Sequence, residues 1–215
     1  MNYSALKALP PVERYRLFAA LYRNSLSAFI QKSFGIVSAG DAYLHNWHID
    51  VIADRLEKCA KGEIKRLIIT VPPRYGKSIC VSVAYIAWLL GKTPAAKVIA
   101  ISYGSDLAEK HAADCKKLMS SPFYQHIFPD LRLQNKENTK TQFKTHCGGF
   151  RLATSVGGPL TGLGGDGLVQ PEGSVMAVVE YDGCQFLCGG SGRSIKKLRP
   201  AGNIQFRSGQ PVYIV

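Results

Sequence analysis

The chain has 215 residues, 46% of them hydrophobic and 20% charged, which predicts a globular protein with one good-sized core and excludes a chain of long polar tracts. The formal net charge of +12 indicates a polyanionic partner, either nucleic acid or an anionic membrane surface; a basic protein with scattered lysines and no such partner is the alternative. The longest apolar run, residues 78–90, is too short to span a bilayer, and the N-terminus has no signal-peptide pattern, so we expect a cytoplasmic protein.

Two helices are predicted before the first strand. Residues 12–34 carry apolar side chains at roughly helical spacing with basic residues between them, which predicts one amphipathic helix packed on the main domain. An arm that contacts DNA or a partner is the alternative interpretation of this helix. Residues 46–60 predict a second helix, which Lys61 and Gly62 end.

A strand, a helix and a second strand are predicted next. Residues 67–71 are typical of a buried strand, because β-branched residues dominate. Residues 78–90 predict a helix that Gly91 and Pro94 stop. Residues 96–103 then predict a second buried strand.

A third helix and a β-hairpin follow. Residues 106–119 predict the helix, with Asp106 as its N-cap and Glu109 three residues later. Residues 141–155 alternate polar and apolar side chains around a central Gly-Gly pair, which predicts the hairpin. Because strands alternate with helices, the order predicts an α/β fold with a parallel sheet and helices on its faces.

The pattern changes after Asp166. Residues 167–215 are rich in glycine and keep no helical period, so that only short strand-like runs remain. We expect either a small, irregular β-rich extension or a stretch that does not fold with the rest. The runs are residues 175–182, 184–188, 204–208 and 211–215.

The segment VPPRYGKS, residues 71–78, stands between the first predicted strand and the helix after it. A Walker A loop, G-x-x-x-x-G-K-[ST], has that position: its backbone N–H groups cradle phosphates, its lysine reaches the β and γ phosphates, and its hydroxyl binds Mg²⁺. Gly76, Lys77 and Ser78 are in register with this pattern, and only the first glycine is replaced, by Val71. The order of strand, loop and helix therefore predicts a nucleotide site, with a Lys-Ser pair that caps an ordinary helix as the alternative.

Arg74 is an unusual member of such a loop. A cation at this position lies within reach of the γ-phosphate, where it senses the state of the nucleotide or stabilises transferred charge as an arginine finger does. A surface arginine that only screens phosphate charge is the alternative.

Longer stretches around the loop resemble phage terminase large subunits, the ATPases that pump DNA into capsids. PPRYGKS is similar to the family's modified Walker A, and GEIKRLII to the strand that precedes it. Downstream, ISYGSDLAEKHAADCKKLMSSPFYQHIFPD and GGFRLATSVGGPLTGLGGD are similar to the family's next strand and helix and to its hairpin and glycine-rich segment. The resemblance covers about residues 12–166. It implies a RecA-like P-loop NTPase that is incomplete, with a helical region (1–62), an ATPase core (63–166) and a tail (167–215).

The resemblance also implies roles for individual residues. The loop residues that it assigns to ATP binding are Pro73, Arg74, Tyr75, Gly76, Lys77 and Ser78. Lys77 contacts the β and γ phosphates, Ser78 ligates Mg²⁺, and Gly76 gives the backbone room. Trp47 and His48 lie where the family places its contacts on the adenine side.

The partners implied are double-stranded DNA, a portal protein and a terminase small subunit. The family works as a homo-oligomeric ring on the portal of an empty capsid in the host cytoplasm, with no membrane. Five basic residues around the predicted hairpin face either DNA phosphates or solvent. These are Lys136, Lys140, Lys144, His146 and Arg151.

Hydrolysis of ATP needs one carboxylate that holds the water shell of Mg²⁺ and one that polarises the attacking water. In the family an apolar strand that ends in two acids follows GLGGD directly, whereas Asp166 is followed here by GLVQPEGSV, which a buried strand does not accommodate. Residues 175–182, VMAVVEYD, are the substitute, with Glu180 as the candidate catalytic carboxylate and Asp182 beside it. A short strand with solvated acids is the alternative. No second domain with clustered acids for a two-metal nuclease is recognised.

Three functions agree with these observations. The first is the ATP-binding portion of a DNA-packaging motor with impaired hydrolysis. The second is a non-catalytic basic module that binds DNA or a terminase partner, or an inactive gene fragment. The third is a generic P-loop ATPase or helicase. Because the resemblance stops at Asp166, a tail that is read from a shifted frame is a further hypothesis.

Overall fold

The N-terminal region forms two helices, α1 (Pro11–Asn24) and α2 (Leu26–Val37). The computed structural model describes residue 7, residues 9–134 and 139–155, and the backbone of residues 175–181, 184–190 and 213–214. The single helix expected over residues 12–34 is wrong, because Ser25 has an extended backbone and its hydroxyl accepts the Ala28 N–H at 3.3 Å. A serine that competes for backbone N–H groups in this way favours a helix start over a helix interior.

The second expected helix is confirmed as α3 (Trp47–Ala60). Gly62 follows it with a φ of 79°, which lets the chain turn toward β1 (Arg66–Thr70).

The helix after β1 begins at Lys77. From Ile79 to Tyr85 it has an unusual π-helical form, and it continues as α4 (Ile86–Lys92). Every residue over 80–90 is buried, so this helix runs through the centre of the core.

Gly91 does not stop that helix, contrary to the expectation. It lies inside α4, where a Cβ atom would come within 2.6 Å of three atoms of the Phe128 ring. The absence of a side chain therefore lets Phe128 pack closely on the helix. The helix ends at Lys92, two residues before Pro94.

The next elements are β2 (Lys97–Ser102), α5 (Ser105–Met119) and α6 (Pro122–Ile127). The sequence predicted Asp106 as the N-cap of α5, but Gly104 has that position. The Asp106 carboxylate lies in the first turn, where its negative charge still interacts favourably with the helix dipole. The short α6 was not predicted, although Pro122 at its start and the Ser121 cap are local signals for it.

The hairpin is confirmed as β3 (Gln142–Lys144) and β4 (Phe150–Ser155), with Gly148 at a φ of 79° in its turn. β4 runs parallel to β2 and antiparallel to β3, so these three strands form a mixed sheet. The expected α/β class is confirmed. The sheet is mixed instead of the expected parallel one, because the hairpin joins its two strands in antiparallel order.

Backbone hydrogen bonds extend the sheet through β5 (Val175–Tyr181), β6 (Cys184–Gly190) and β7 (Tyr213–Ile214). The strand order is β3-β4-β2-β5-β6-β1-β7. β5 is parallel to β2, β6 is antiparallel to both of its neighbours, and β7 is parallel to β1. The sheet thus joins residues on both sides of Asp166, while the division of the chain into three regions stays a prediction. The run predicted over 204–208 lies outside the described residues.

One apolar cluster holds these elements together. It contains side chains of α2, α3, the π segment, α4, β1 and β2, including Phe29, Ile52, Leu67 and Val98. Within the part of the chain that the structure describes, no helix is long and apolar enough to cross a membrane.

Candidate functional site

The connection from β1 to the central helix, residues 71–76, is the candidate loop. Its backbone enters the left-handed region twice, at Arg74 (φ 70°) and at Gly76 (φ 75°). Glycine adopts this conformation without penalty, whereas an arginine is strained there. Such turns bring successive backbone N–H groups to one side, which is the geometry of an anion-binding concavity.

Lys77 is the first residue of the central helix and is only 8% exposed. None of the ion pairs between described residues involves it. A buried ammonium group is costly unless an anion lies close to it. Because no described residue forms an ion pair with this one, it is suited to an anion that a ligand supplies. The positive end of the helix dipole lies at the same place and adds to the attraction.

Ser78 follows in the first helical turn and is partly exposed, as the predicted Mg²⁺ ligand requires. Among the described residues no group of three metal-ligating side chains occurs. Magnesium that is bound with a nucleotide takes one or two protein oxygens and completes its shell with phosphate oxygens and waters. The donor at Ser78 therefore fits such an ion without a dedicated protein cage.

The start of α3 lies against the loop. The Nε2–H of His48 donates to the Tyr75 carbonyl at 3.1 Å, and the two rings meet edge to face with centroids 5.6 Å apart. Trp47 is 73% exposed beside His48, with ring centroids 6.4 Å apart. On the inner side, Ile49 packs under Gly76. The structure thus brings the two residues predicted for the adenine side together with the candidate loop, residues 71–76.

A polar network that the sequence analysis missed holds the segment before α3. Ser27 and His45 both donate to the carboxylate of Asp50, the imidazole at 2.9 Å, and Tyr43 donates to Nδ1 of His45 at 3.1 Å. The hydrogen bond from Ser27 is the main cause that lowers the pKa of Asp50, while burial raises the pKa of Tyr43 to about 12. The partners come from α2, a loop and α3, so no local sequence signal announces the network.

Glu180 lies near the C-terminal end of β5, on the same side of the sheet as the end of β1 from which the loop begins. β5 and β1 run in the same direction, because β6 is antiparallel to both. Glu180 and Ile69 are both in register with Gln185 of β6, so position 180 is level with the end of β1. Two strand spacings, roughly 10 Å, separate the two backbones. Asp166 and Asp182 lie outside the described residues.

One of the five basic residues expected to face either DNA phosphates or solvent faces neither. Arg151 is 0% exposed and points into the core, where its Nη2 donates to the Ser82 carbonyl at 3.4 Å. Its place on β4 turns it to the inner side, so it cannot contact phosphates of DNA. Lys140 and His146 are exposed and Lys144 is partly exposed, whereas Lys136 lies outside the described residues.

The described site therefore combines a loop with two residues in the left-handed backbone region, a buried lysine at a helix start and an aromatic pair beside them. These features are grouped by the fold from segments that are about 30 residues apart in sequence. A scan against protein-family models and a search of curated proteins found no match to this chain.

Proposed function

We propose that residues 71–78 bind the phosphates of ATP and that the chain is the ATP-binding portion of a DNA-packaging motor of the terminase large-subunit type. The observation that carries the proposal is Lys77, a nearly buried cation at a helix start that has no ion-pair partner among the described residues. The terminase part of the proposal rests on the sequence resemblance over residues 12–166. A P-loop NTPase fold of RecA type is part of the same proposal.

In this account Lys77 binds the β and γ phosphates, and the loop N–H groups and the helix dipole complete the cradle. Mg²⁺ supplies charge neutralisation between the phosphates when bound, and Ser78 would hold it. Trp47 and His48 face the base, since the exposed Trp47 ring and the partly exposed His48 ring lie beside the loop. Pro73 and Tyr75 shape the loop, and Arg74 contacts the γ-phosphate.

A titration with a fluorescent ATP analogue and Mg²⁺ tests this site. The parent chain is expected to bind saturably, Lys77→Ala to lose at least tenfold in affinity, and Lys110→Ala to bind like the parent. Lys110 is a suitable control because it is an exposed lysine on α5, away from the loop. Equal affinity of the parent and Lys77→Ala would contradict the proposal.

Hydrolysis is expected to be slow, because the apolar strand with two adjacent terminal acids that the family has after GLGGD is missing from this sequence. Glu180 at the end of β5 is the candidate carboxylate that remains. Glu180 is the candidate that polarises the attacking water, because its position in the sheet is in register with the end of β1, where the loop begins. In a steady-state phosphate-release assay, Glu180→Gln should abolish residual turnover and leave nucleotide affinity unchanged. Turnover at a rate typical of an intact motor ATPase would contradict the impaired-hydrolysis part.

The proposed partners are double-stranded DNA, a portal protein and a terminase small subunit, in a homo-oligomeric ring. The net charge of +12 supports a polyanionic partner, as do the exposed cations at the β3–β4 hairpin. A basic module that binds DNA without turnover is the second candidate, favoured by the same charge. Binding of a DNA duplex that is unaffected by ATP and by Lys77→Ala would favour it.

The hypothesis of a shifted frame after Asp166 is tested on the gene itself. Translation of the DNA beyond codon 166 in the two other frames should reveal an apolar strand that ends in two acids. The hypothesis is wrong if neither frame encodes such a strand.

A further inference from the structure

Arg151 is a buried cation that the proposed function does not use. Its side chain has no exposure, and its Nε and Nη1 have no hydrogen-bond partner among the described residues. Its contacts are the Ser82 carbonyl, 3.4 Å from Nη2, and the Phe143 ring, whose centroid lies 6.0 Å from Cζ. Burial also lowers the pKa of the guanidinium. A charge held this way costs stability, so packing alone does not explain an arginine here.

The contact that Arg151 makes falls on the π-helical segment. Ser82 lies in the middle of Ile79–Tyr85, which directly follows Lys77 and Ser78. A π-helical turn holds one residue more than an α-helical turn, and long runs of it are rare. If this segment relaxed to an α-helix, the residues before it would rotate by about 100° relative to α4. The register of the segment therefore sets the direction in which Lys77 points.

The part of the helix beyond the π segment is fixed by other contacts. The Tyr124 hydroxyl donates to the Ala87 carbonyl at 2.7 Å, and the Trp88 indole N–H donates to the Tyr22 carbonyl at 3.1 Å. At the far end, Thr145 of the hairpin turn donates to the Pro94 carbonyl. With α4 fixed, a change of register would move the loop end of the helix.

We infer that Arg151 is a positioning residue that holds the π register of the central helix and thereby aims Lys77 at the phosphates. The guanidinium reaches from β4 to the Ser82 carbonyl and stabilises that carbonyl's orientation. The part of this inference that concerns Lys77 and the phosphates rests on the proposed nucleotide site. The effect of Arg151 on the helix register is independent of any ligand.

Hydrogen exchange at peptide resolution and nucleotide affinity, measured on the full chain, test it together. Arg151→Met keeps the length of the side chain and removes the donors. We expect faster exchange confined to residues 79–85 and affinity for the fluorescent ATP analogue lowered about tenfold. The melting temperature should not fall, because a buried charge that has no acidic partner among the described residues is removed. Arg151→Lys keeps one donor and should recover part of both losses. Phe143→Leu, which disturbs the same pocket but keeps the guanidinium, should leave exchange over 79–85 unchanged.

Unchanged exchange over residues 79–85 in Arg151→Met would overturn the inference, whatever the affinity does. Faster exchange with unchanged affinity in a parent chain that binds would also overturn it, since the helix would then not aim Lys77. If the parent chain binds no nucleotide while the methionine variant exchanges faster, the proposed function fails and the hold on the helix stands. If the methionine variant does not fold, the lysine variant decides: a selective change over 79–85 supports the inference, and no change or a uniform one overturns it.

Discussion

At the scale of single residues, Arg74 carries a strain that glycine would remove. Its φ of 70° lies in a region that costs a non-glycine residue about 1 to 3 kcal/mol. Arg74→Gly should therefore not lower the free energy of unfolding, because the relief of strain offsets the added freedom of the unfolded chain, which is worth up to about 1 kcal/mol. The same variant should bind ATP more weakly, since it loses the cation.

Denaturant unfolding and nucleotide titration measure the two effects. Arg55→Gly is the matched control, because Arg55 lies in the middle of α3, where glycine costs about 1 kcal/mol. A loss of stability in Arg74→Gly as large as in the control would show that the loop conformation is not strained.

Asp50 gives the region beside the loop a dependence on pH. Its pKa in the folded chain is lowered from the ordinary 3.8, chiefly by the hydrogen bond from Ser27. A lowered folded pKa means that Asp50 stabilises the fold above the unfolded value and that this contribution is lost as the pH falls through the folded value. The melting temperature of Asp50→Asn should thus lie below that of the parent at pH 6 and approach it below about pH 3.8. A difference that stays constant down to pH 3 would contradict this reading.

The described cysteines differ in reactivity because they differ in burial. Burial raises the pKa of Cys59 and Cys80 to about 12 and that of Cys115 to about 11, whereas Cys147 is exposed in the hairpin turn. Since the thiolate is the reactive form, iodoacetamide at neutral pH should label Cys147 before Cys59, Cys80 and Cys115. Peptide mapping of the folded chain checks the order, and labelling of Cys80 as fast as Cys147 would contradict the buried helix.

At the scale of elements, two helical glycines with different surroundings form a matched pair. A Cβ at Gly91 would lie 2.6 Å from the buried Phe128 ring, whereas a Cβ at Gly35 in α2 would meet nothing within 4 Å. Gly91→Ala should lower the free energy of unfolding by about 1 to 3 kcal/mol through overpacking. Gly35→Ala should raise it by up to about 1 kcal/mol through helix propensity. Equal effects in denaturant unfolding would rule out the close packing of Phe128.

The elements that the sequence predicted well are those with a strong period. α3, β1, β2 and the β3–β4 hairpin follow their apolar patterns closely. The misses have physical causes that periodicity does not encode. The Ser25 hydroxyl caps a new helix and so divides the predicted N-terminal helix. Gly91 lacks a side chain because the ring of Phe128, 37 residues later, packs against it. The π segment, Ile79–Tyr85, has contacts across the core, including the hydrogen bond from Arg151, which we infer to hold its register.

At the scale of the whole molecule, the strands after Asp166 connect two parts of the sheet. β5 and β6 lie between β2 and β1, so their removal would leave two strands with unpaired edges in the protein interior. A chain that ends at residue 174 should therefore aggregate or lose cooperative unfolding. A chain that ends at residue 190 loses only the two-residue strand β7 and keeps β5 and β6 between β2 and β1, so it should remain soluble. Size-exclusion chromatography and thermal unfolding compare the two, and a stable monomer from the shorter chain would show that these strands are dispensable.

The candidate site was predictable where it is local and not where it is assembled. Lys77 and Ser78 are found by the loop motif, because strand, loop and helix are consecutive. Asp50 is bound by Ser27 and His45, which are 23 and 5 positions away, and Arg151 reaches Ser82, which is 69 positions away, so the sequence pattern cannot reveal these contacts. The same limit explains why Arg151 was expected on an outer face, toward DNA or solvent: a strand's alternation fixes which residues share a face but not which face is inside.

The central claim is that Lys77 contacts the phosphates of a nucleotide. An acyl phosphate of ATP tests it directly, since a lysine amine that touches the phosphates attacks the acyl carbonyl, forms an amide and releases ATP. Peptide mapping should find Lys77 as the principal acylated lysine, with labelling suppressed by excess ATP and Mg²⁺. Acylation that is spread over the exposed lysines and insensitive to ATP would contradict the claim.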